Sequence, residues 1–401
     1  MHKKRIRTRQ ETSNSANPEK LRLCYLADLH SFHTQRWASY FARKGHSVIV
    51  LSPTQMEIPG VRVRTLFWKP GFPKIFQLAN VFRVLAVLRT FKPHVLHAHF
   101  VRFYGWLGAL CFFKPLVITV WGGDILEDQG ALSDLFGKKL TPFALKRANI
   151  VTAHSRFLKQ RVVELGKPES QVRIVGCPGV DRRQFRPGLN TDSLRRELGI
   201  GDGSVVLCTR LINPLYNTEI VLRAISLVLK EAPATKFIFS EHAGDKVYIQ
   251  QMKAFARKLG VENSLLFLAE IPHDRMPLFL NLAQVFVSIP DSDGMPQSLL
   301  EAMSCGTVPV VSSLPQYNEV IRNEANALVV QQKDASAVAG AILRLLKDAA
   351  FREKLSSACI DTTTEGMDYE VEMEKMEKLY YELSKVGDRE GGVQTANQSR
   401  S

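Results

Sequence analysis

Ser292-Asp293-Gly294-Met295-Pro296-Gln297-Ser298-Leu299-Leu300-Glu301-Ala302-Met303-Ser304-Cys305-Gly306-Thr307-Val308-Pro309-Val310-Val311 runs from a polar, glycine-containing loop into a helix over 298–305 and then into an apolar strand over 308–312. Loop, helix and strand in that order form one unit of an α/β repeat. The loop stands where open parallel sheets bind ligands, beyond the carboxyl end of the preceding strand, 284–289. Backbone N–H groups in the first helical turn, near Pro296–Ser298, are free donors at a positive dipole end, where a phosphate or a row of sugar hydroxyls fits. Asp293 in the loop and Glu301 in the helix lie eight residues apart and can grip different parts of one polyhydroxylated ligand. The plainer reading makes Asp293 a helix cap and Glu301 the partner of a surface base, and spacing alone favours it.

The same rhythm extends outward on both sides. Further strands are expected in this half at 205–209, 236–240, 264–269 and 328–330, with helices at 217–231, 246–259, 276–282 and 335–346. The first half offers strands at 21–27, 47–52, 61–66, 95–98, 116–120, 150–153 and 172–175, separated by helices at 35–44, 74–90, 104–112, 135–147 and 156–165. Strands rich in Val, Ile and Leu and separated by helices argue for parallel sheets covered on both faces. A Pro-, Gly- and Asp-rich stretch, 176–203, divides the two halves. The expected fold class is therefore α/β, with two Rossmann-like, doubly wound domains at 21–182 and 183–368. A last helix, within 369–385, carries Val371, Met373, Met376, Leu379 and Tyr380 on one face and is expected to return to the first domain. Residues 1–20 and 386–401 read as disordered polar tails.

With 401 residues, 45% apolar and 23% charged, the chain is large enough for two cores. No apolar run reaches the length of a membrane span, and no apolar segment follows the basic residues Lys3 to Arg9 to make a secretory signal. Six scattered cysteines without Cys-x-x-Cys spacing suit buried thiols in a reducing compartment, so a cytoplasmic location is expected. The net charge of +14 is not gathered into an aromatic-laced stripe outside the tail, so an anionic substrate or membrane surface is expected and nucleic acid is not. The basic tail reads as solvated or, more sharply, as a tether to anionic lipid. The stretch Phe67-Trp68-Lys69-Pro70-Gly71-Phe72-Pro73-Lys74-Ile75-Phe76 suits a membrane interface, while the helix after it reads as mostly buried.

The string from Asp293 to Val311 resembles the donor signature of retaining glycosyltransferases of family 4, Glu-x7-Glu followed by Ala-Met-(small)-x-Gly-x-Pro-Val-Val. There the first acid contacts the transferred sugar and the second holds the ribose hydroxyls, which implies those roles for Asp293 and Glu301. Gly294, Met295, Pro296, Gln297 and Ser298 are the implied donor-binding turn. Glu319 in Pro315-Gln316-Tyr317-Asn318-Glu319 matches the acid that the family places downstream. Arg210, past the strand 205–209, matches the family's arginine on the leaving diphosphate. The family's following lysine is replaced by Asn213-Pro214-Leu215-Tyr216-Asn217, so Asn217 joins the donor set. Either helix N–H groups or Arg182 or Arg183 complete the site. Cys177-Pro178-Gly179-Val180-Asp181 resembles the family's interdomain string, placing Gly179 near the donor.

In the first domain, Trp121-Gly122-Gly123-Asp124 is similar to the family's His-Gly-x-Asp, with tryptophan at the histidine position. Trp121 suits stacking on a sugar ring, Gly122 a close backbone approach, and Asp124 the acceptance of sugar hydroxyls. His99, at the end of a His97-Ala98-His99 strand, and His33 complete the expected acceptor set. A two-histidine metal site at His97 and His99 lacks a third ligand of suitable spacing, so neither metal nor cofactor is expected. The resemblance implies a GT-B enzyme that moves a hexose from a nucleoside diphosphate sugar to a saccharide or lipid-linked acceptor, with retained anomeric configuration. A nucleotide-sugar epimerase and a non-catalytic binding scaffold are the alternatives.

Overall fold

The computed structural model describes residues 19–67, 80–126, 131–175, 179–242, 244–364 and 366–397. The basic tail and most of the Phe67–Phe76 stretch lie outside these residues.

The first sheet contains β1 (Arg22–Leu26), β2 (Ser47–Ser52), β3 (Val61–Thr65), β4 (Val95–His99), β5 (Leu116–Val120), β6 (Ile150–Ala153) and β7 (Val172–Ile174), in the order β3-β2-β1-β4-β5-β6-β7. The second contains β8 (Val205–Cys208), β9 (Lys236–Ser240), β10 (Leu265–Leu268), β11 (Val285–Ser288), β12 (Val308–Ser312) and β13 (Leu328–Val330), in the order β10-β9-β8-β11-β12-β13. Neighbouring strands pair in parallel, with Leu23 opposite Val95 and Val285 opposite Val206. Central strands such as β5 and β12 are buried at every position. Their side chains meet helices on both faces, which is why they read as unbroken apolar runs.

In each sheet the winding direction reverses between two central strands, β1 and β4 in one and β8 and β11 in the other. Loops leaving those strands separate there and leave a crevice. Phe32 and His33 follow β1, Phe100 follows β4, Arg210 follows β8 and Asp293 follows β11.

The chain crosses between the domains twice, and the crossings touch. Val180 N donates to the Met367 carbonyl at 2.7 Å, and Tyr369 N donates to the Val180 carbonyl at 3.2 Å. Gly179 has a φ of +70°, and a Cβ there would sit 2.7 Å from backbone atoms of Asp368 and Tyr369. Only glycine fits so close a crossing. The final helix, Tyr369–Asn397, lays Met373, Met376, Leu379 and Tyr380 on Trp37, Phe41 and Tyr25 of the first domain. Burial of each such side chain contributes about 1.5–3 kcal/mol. Val371, expected on that face, is 48% exposed.

Two expectations are corrected. A helix at Ala349–Thr364 was not foreseen, because it buries only the narrow line Leu355, Cys359 and Thr363. The helix Val81–Phe91 buries only Val84, Leu88 and Phe91 and leaves Phe82 75% exposed, so it is not mostly buried. Val84, Leu88 and Phe91, at i, i+4 and i+7, form its buried line, and Val81, Leu85 and Val87 pack half-buried beside them; residues 74–79 of the expected helix lie outside the described residues.

Candidate active site

The crevices of the two sheets face one another across a cavity of about 360 Å³. Phe32, His33, Trp121 and His154 line it from the first domain, and Arg210, His273, Asp293, Gly294, Met295, Pro296, Gln297, Ser298 and Glu301 from the second. The loops touch at two glycines. A Cβ on Gly122 (φ +111°) would lie 3.0 Å from Gly294 Cα, and one on Gly294 would lie 2.8 Å from the Trp121 carbonyl.

The second-domain wall is charged. Arg210 donates from Nη2 to Asp293 Oδ2 at 2.7 Å and from Nη1 to Ser298 Oγ at 3.0 Å. Its guanidinium lies over the Tyr216 ring, 4.6 Å from the centroid. Its Nε is buried and has no hydrogen-bond partner among the described residues. Asp293 is held from three directions. Gly294 N donates to Oδ1 at 2.8 Å, and the Tyr317 hydroxyl donates to Oδ2 at 3.1 Å beside Arg210. Glu301 is buried in the helix Gln297–Ser304, and its Oε1 lies 3.0 Å from His273 Nε2. The His273 ring in turn rests 3.7 Å from the Phe32 centroid, across the cavity.

The first-domain wall is aromatic and uncharged. The Trp121 ring stands 4.9 Å from His33, 4.6 Å from His154 and 5.8 Å from His99. Burial, reinforced by neighbouring imidazoles and Arg36, pushes His33 down to about 3. Burial and the imidazoles of His154 and His33 push His99 down to about 3, and burial pushes His154 down to about 4. All three are neutral at pH 7. His154 Nδ1 lies 3.2 Å from the Val175 carbonyl, which can only accept. Nδ1 therefore carries the proton and Nε2 is an acceptor. His154 Nε2, His99 Nε2 and Trp121 Nε1 are buried without hydrogen-bond partners among the described residues. Groups of this kind are costly unless a ligand satisfies them.

Several expected residues have other work. Asp124 is buried, and its carboxylate accepts from Val101 N at 2.7 Å and from Trp121 N and Gly122 N at 3.0 Å each. It shapes the loop that carries Trp121 and does not line the cavity. Burial raises its pKa against the pull of those N–H groups. His99 stands behind Trp121, 3.4 Å from the Thr34 hydroxyl. His97 is bound by the Tyr380 hydroxyl at 2.5 Å and the Thr119 hydroxyl at 2.7 Å, which ties it to the final helix. Asn217 donates from Nδ2 to the Ile289 carbonyl at 2.9 Å and to Asp291 at 2.8 Å, bracing the loop that leads to Asp293. Gly179 meets the site through its carbonyl, which accepts from Gln297 Nε2 at 2.7 Å. Arg183 pairs with Glu370 at 2.9 Å on the surface, away from the cavity. Glu319 spans the domains, accepting from Arg156 N at 2.9 Å and Phe157 N at 3.0 Å at the start of the helix Arg156–Glu164.

His154 and His273 went unread in the sequence, although each lies just past the carboxyl end of a strand, β6 and β10 respectively. That position was the available signal.

Residues 190–361 match the family described as glycosyl transferases group 1, and residues 22–155 match that described as glycosyl transferase 4-like. The D-inositol 3-phosphate glycosyltransferase of Acidothermus cellulolyticus is 27% identical over 354 residues, covering 79% of this chain and 77% of that protein. A GDP-mannose-dependent alpha-(1-6)-phosphatidylinositol monomannoside mannosyltransferase of Mycolicibacterium smegmatis is 27% identical over 210 residues, covering 50% and 54%. The crystal structure of Anabaena HepE with UDP and glucose shares the fold, with a TM-score of 0.76, 17% identity, and coverage of 90% of this chain and 100% of that one.

Proposed function

Because the chain belongs to the group 1 glycosyltransferases of GT-B fold, we propose that it transfers a hexose from a UDP- or GDP-hexose, with retention at the anomeric carbon, to a saccharide or lipid-linked acceptor. The carrying observation is the opposition, across one cavity, of the Arg210–Asp293–Ser298 cluster and the neutral Trp121–His33–His154 wall. Asp293 holds the transferred sugar and Glu301 the ribose hydroxyls. The Ser298 end of the helix and Arg210 receive the diphosphate. The bond from the anomeric carbon to the phosphate oxygen breaks as the acceptor oxygen bonds to that carbon on the same face. The acceptor's hydroxyl proton passes to the departing phosphate oxygen.

Rate enhancement on this reading comes from charge stabilisation and positioning in a closed cleft. The positive charge is the protein's own, so activity is expected without a divalent metal. The acceptor enters along Trp121, whose ring suits a sugar face. We place the enzyme in the cytoplasm, in peripheral contact with an anionic membrane that holds lipid-linked acceptors, in the synthesis of a polysaccharide or glycoconjugate. The named substrate of the M. smegmatis relative is of that lipid-bound kind.

The test is release of UDP or GDP from a panel of nucleoside diphosphate hexoses, with EDTA present, by wild type and Glu301→Ala. Release from one donor, lost in the variant, supports the reading and names the donor. Release of a free epimerised sugar with no transfer to any acceptor supports an epimerase instead. No release from any donor, even with membrane extract as an acceptor source, supports a non-catalytic role.

A further inference from the structure

From Ile58 to Gly123 the sequence holds no aspartate or glutamate, yet it has lysine or arginine at nine positions. All four exposed phenylalanines among the described residues, Phe67, Phe82, Phe100 and Phe112, fall in the same interval. Exposed apolar surface lowers solubility and charge of one sign destabilises the compact state, so their coincidence in one interval calls for an account.

Three of these phenylalanines sit on adjoining segments. Phe67 N donates to Asn80 Oδ1 at 2.7 Å, and Asn80 Nδ2 donates back to the Phe67 carbonyl at 3.0 Å. Phe67 is thus pinned at the start of the helix Val81–Phe91, whose second residue is Phe82. Cys111 Sγ lies 4.0 Å from the Val81 carbonyl, which brings Phe112 to the same corner. Their exposures are 54%, 75% and 65% for Phe67, Phe82 and Phe112. Phe112 holds a φ of +52°, a conformation that favours glycine or asparagine. It is the left-handed residue that ends the helix Trp106–Leu110, and it keeps its apolar side chain turned to solvent.

The rim is basic. Arg147 lies over the Phe112 ring, 4.6 Å from its centroid. Arg83 reaches the Thr65 carbonyl at 3.3 Å, and Lys114 is exposed. None of the three meets a carboxylate among the described residues.

We infer that this corner of the first domain, centred on Phe67, Phe82 and Phe112 with Arg83, Lys114 and Arg147 around them, docks the enzyme onto a bilayer rich in anionic lipid. The inference rests on the membrane contact proposed above and assigns it to a folded surface in place of the basic tail. A nucleic acid would take the basic rim but not three protruding phenyl groups. A protein partner would take the phenyl groups without needing so long an acid-free interval. Anionic headgroups over hydrocarbon accommodate both at once.

The experiment is co-sedimentation of the full chain with vesicles of phosphatidylcholine alone, or with about a third phosphatidylglycerol, the range in which basic segments bind. Wild type is expected on the anionic vesicles only, and to leave them in about 1 M salt. Phe82→Ser with Phe112→Ser should lower the partition coefficient about tenfold or more for each ring lost from the hydrocarbon. Arg83→Gln with Lys114→Gln should lower it about fivefold per charge. A chain with Lys3, Lys4, Arg5, Arg7 and Arg9 all changed to Gln should keep its dependence on the phenylalanines. All the substituted side chains of the corner are exposed, so unchanged melting temperatures and unchanged donor hydrolysis in vesicle-free solution check the fold. Unaltered binding by the phenylalanine variant overturns the proposal, whether the tail then holds the vesicle or the corner serves an acidic macromolecule. So does a wild type that ignores anionic vesicles. Failure of the transferase reading would appear separately, as absent donor hydrolysis with vesicle binding intact.

Discussion

Arg210→Met removes the guanidinium while keeping much of the volume of the side chain. In the structure that group joins Asp293 at 2.7 Å to Ser298 at 3.0 Å. If it stabilises the leaving diphosphate, its loss is felt in the transition state more than in the bound donor. Removing one such preorganised donor from a shielded site costs about 2.7–4 kcal/mol, on the order of 10²–10³ in kcat, with a smaller change in KM. Arg210→Lys keeps a charge but loses the fork, because one ammonium cannot serve Asp293, Ser298 and a phosphate in the same geometry. An intermediate loss of about 10- to 100-fold is expected, corresponding to about 1.4–2.7 kcal/mol. The assay is the initial rate of UDP or GDP release, with circular dichroism and melting temperature as fold controls. Asp293 keeps Gly294 N and the Tyr317 hydroxyl, so the methionine variant should fold with a moderate loss of stability. Should it melt early, adding Asp293→Asn to Arg210→Met ought to recover part of that loss by removing the unpaired charge. Rates within about threefold of wild type in a folded methionine variant would refute the electrostatic argument, since threefold corresponds to only about 0.7 kcal/mol.

Gly122→Ala places a methyl 3.0 Å from Gly294 Cα at a φ of +111°. The loops then close less well, and kcat should fall on the order of tenfold or more, with a loss of about 1–3 kcal/mol in stability from the strained backbone. Tyr380→Phe leaves His97 Nδ1 and Trp37 Nε1 without the hydroxyl at 2.5 and 3.3 Å. Chemical denaturation should show a loss of about 1–3 kcal/mol, with kcat kept at 25 °C if the final helix only fastens the first domain. Acid sensitivity should come partly from the buried histidines. His99 is pushed down to about 3 and His154 to about 4, against about 6.5 in an unfolded chain. Above that value both states are neutral and the term is flat. Below it the unfolded state takes up protons that the folded state refuses, so stability falls with pH by up to about 1.4 kcal/mol per unit for each histidine. Melting temperature in His154→Gln should therefore decline less steeply from pH 6.5 to pH 4.5 than in wild type, and equal slopes would sink the assignment.

The strands were legible because a strand buried on both faces needs an unbroken apolar run, and that need acts on consecutive residues. Asp293, Glu301 and Arg210 were legible for a related reason: each belongs to a short string in which strand end, loop and helix start follow in order. The helix Ala349–Thr364 was not, since a line of three buried side chains leaves almost no periodicity. Asp124 shows the limit at the site. Its place after β5 was visible, but a carboxylate bonded to three backbone N–H groups cannot be told from one that meets a sugar by inspecting its neighbours in the chain.

Local order along the chain thus determined the two sheets, the alternation of strand and helix, and the residues that leave each strand end. The tertiary structure alone decided which of those residues converge. His273 meets Glu301 and Phe32, and His154 meets Trp121, across separations in sequence that no periodicity records. Gly122 and Gly294 matter only because two domains bring them within contact. Local patterns reflect forces that act between near neighbours in the chain, whereas a binding site is a set of distances, and those are fixed by sheet order and by how the two domains pack.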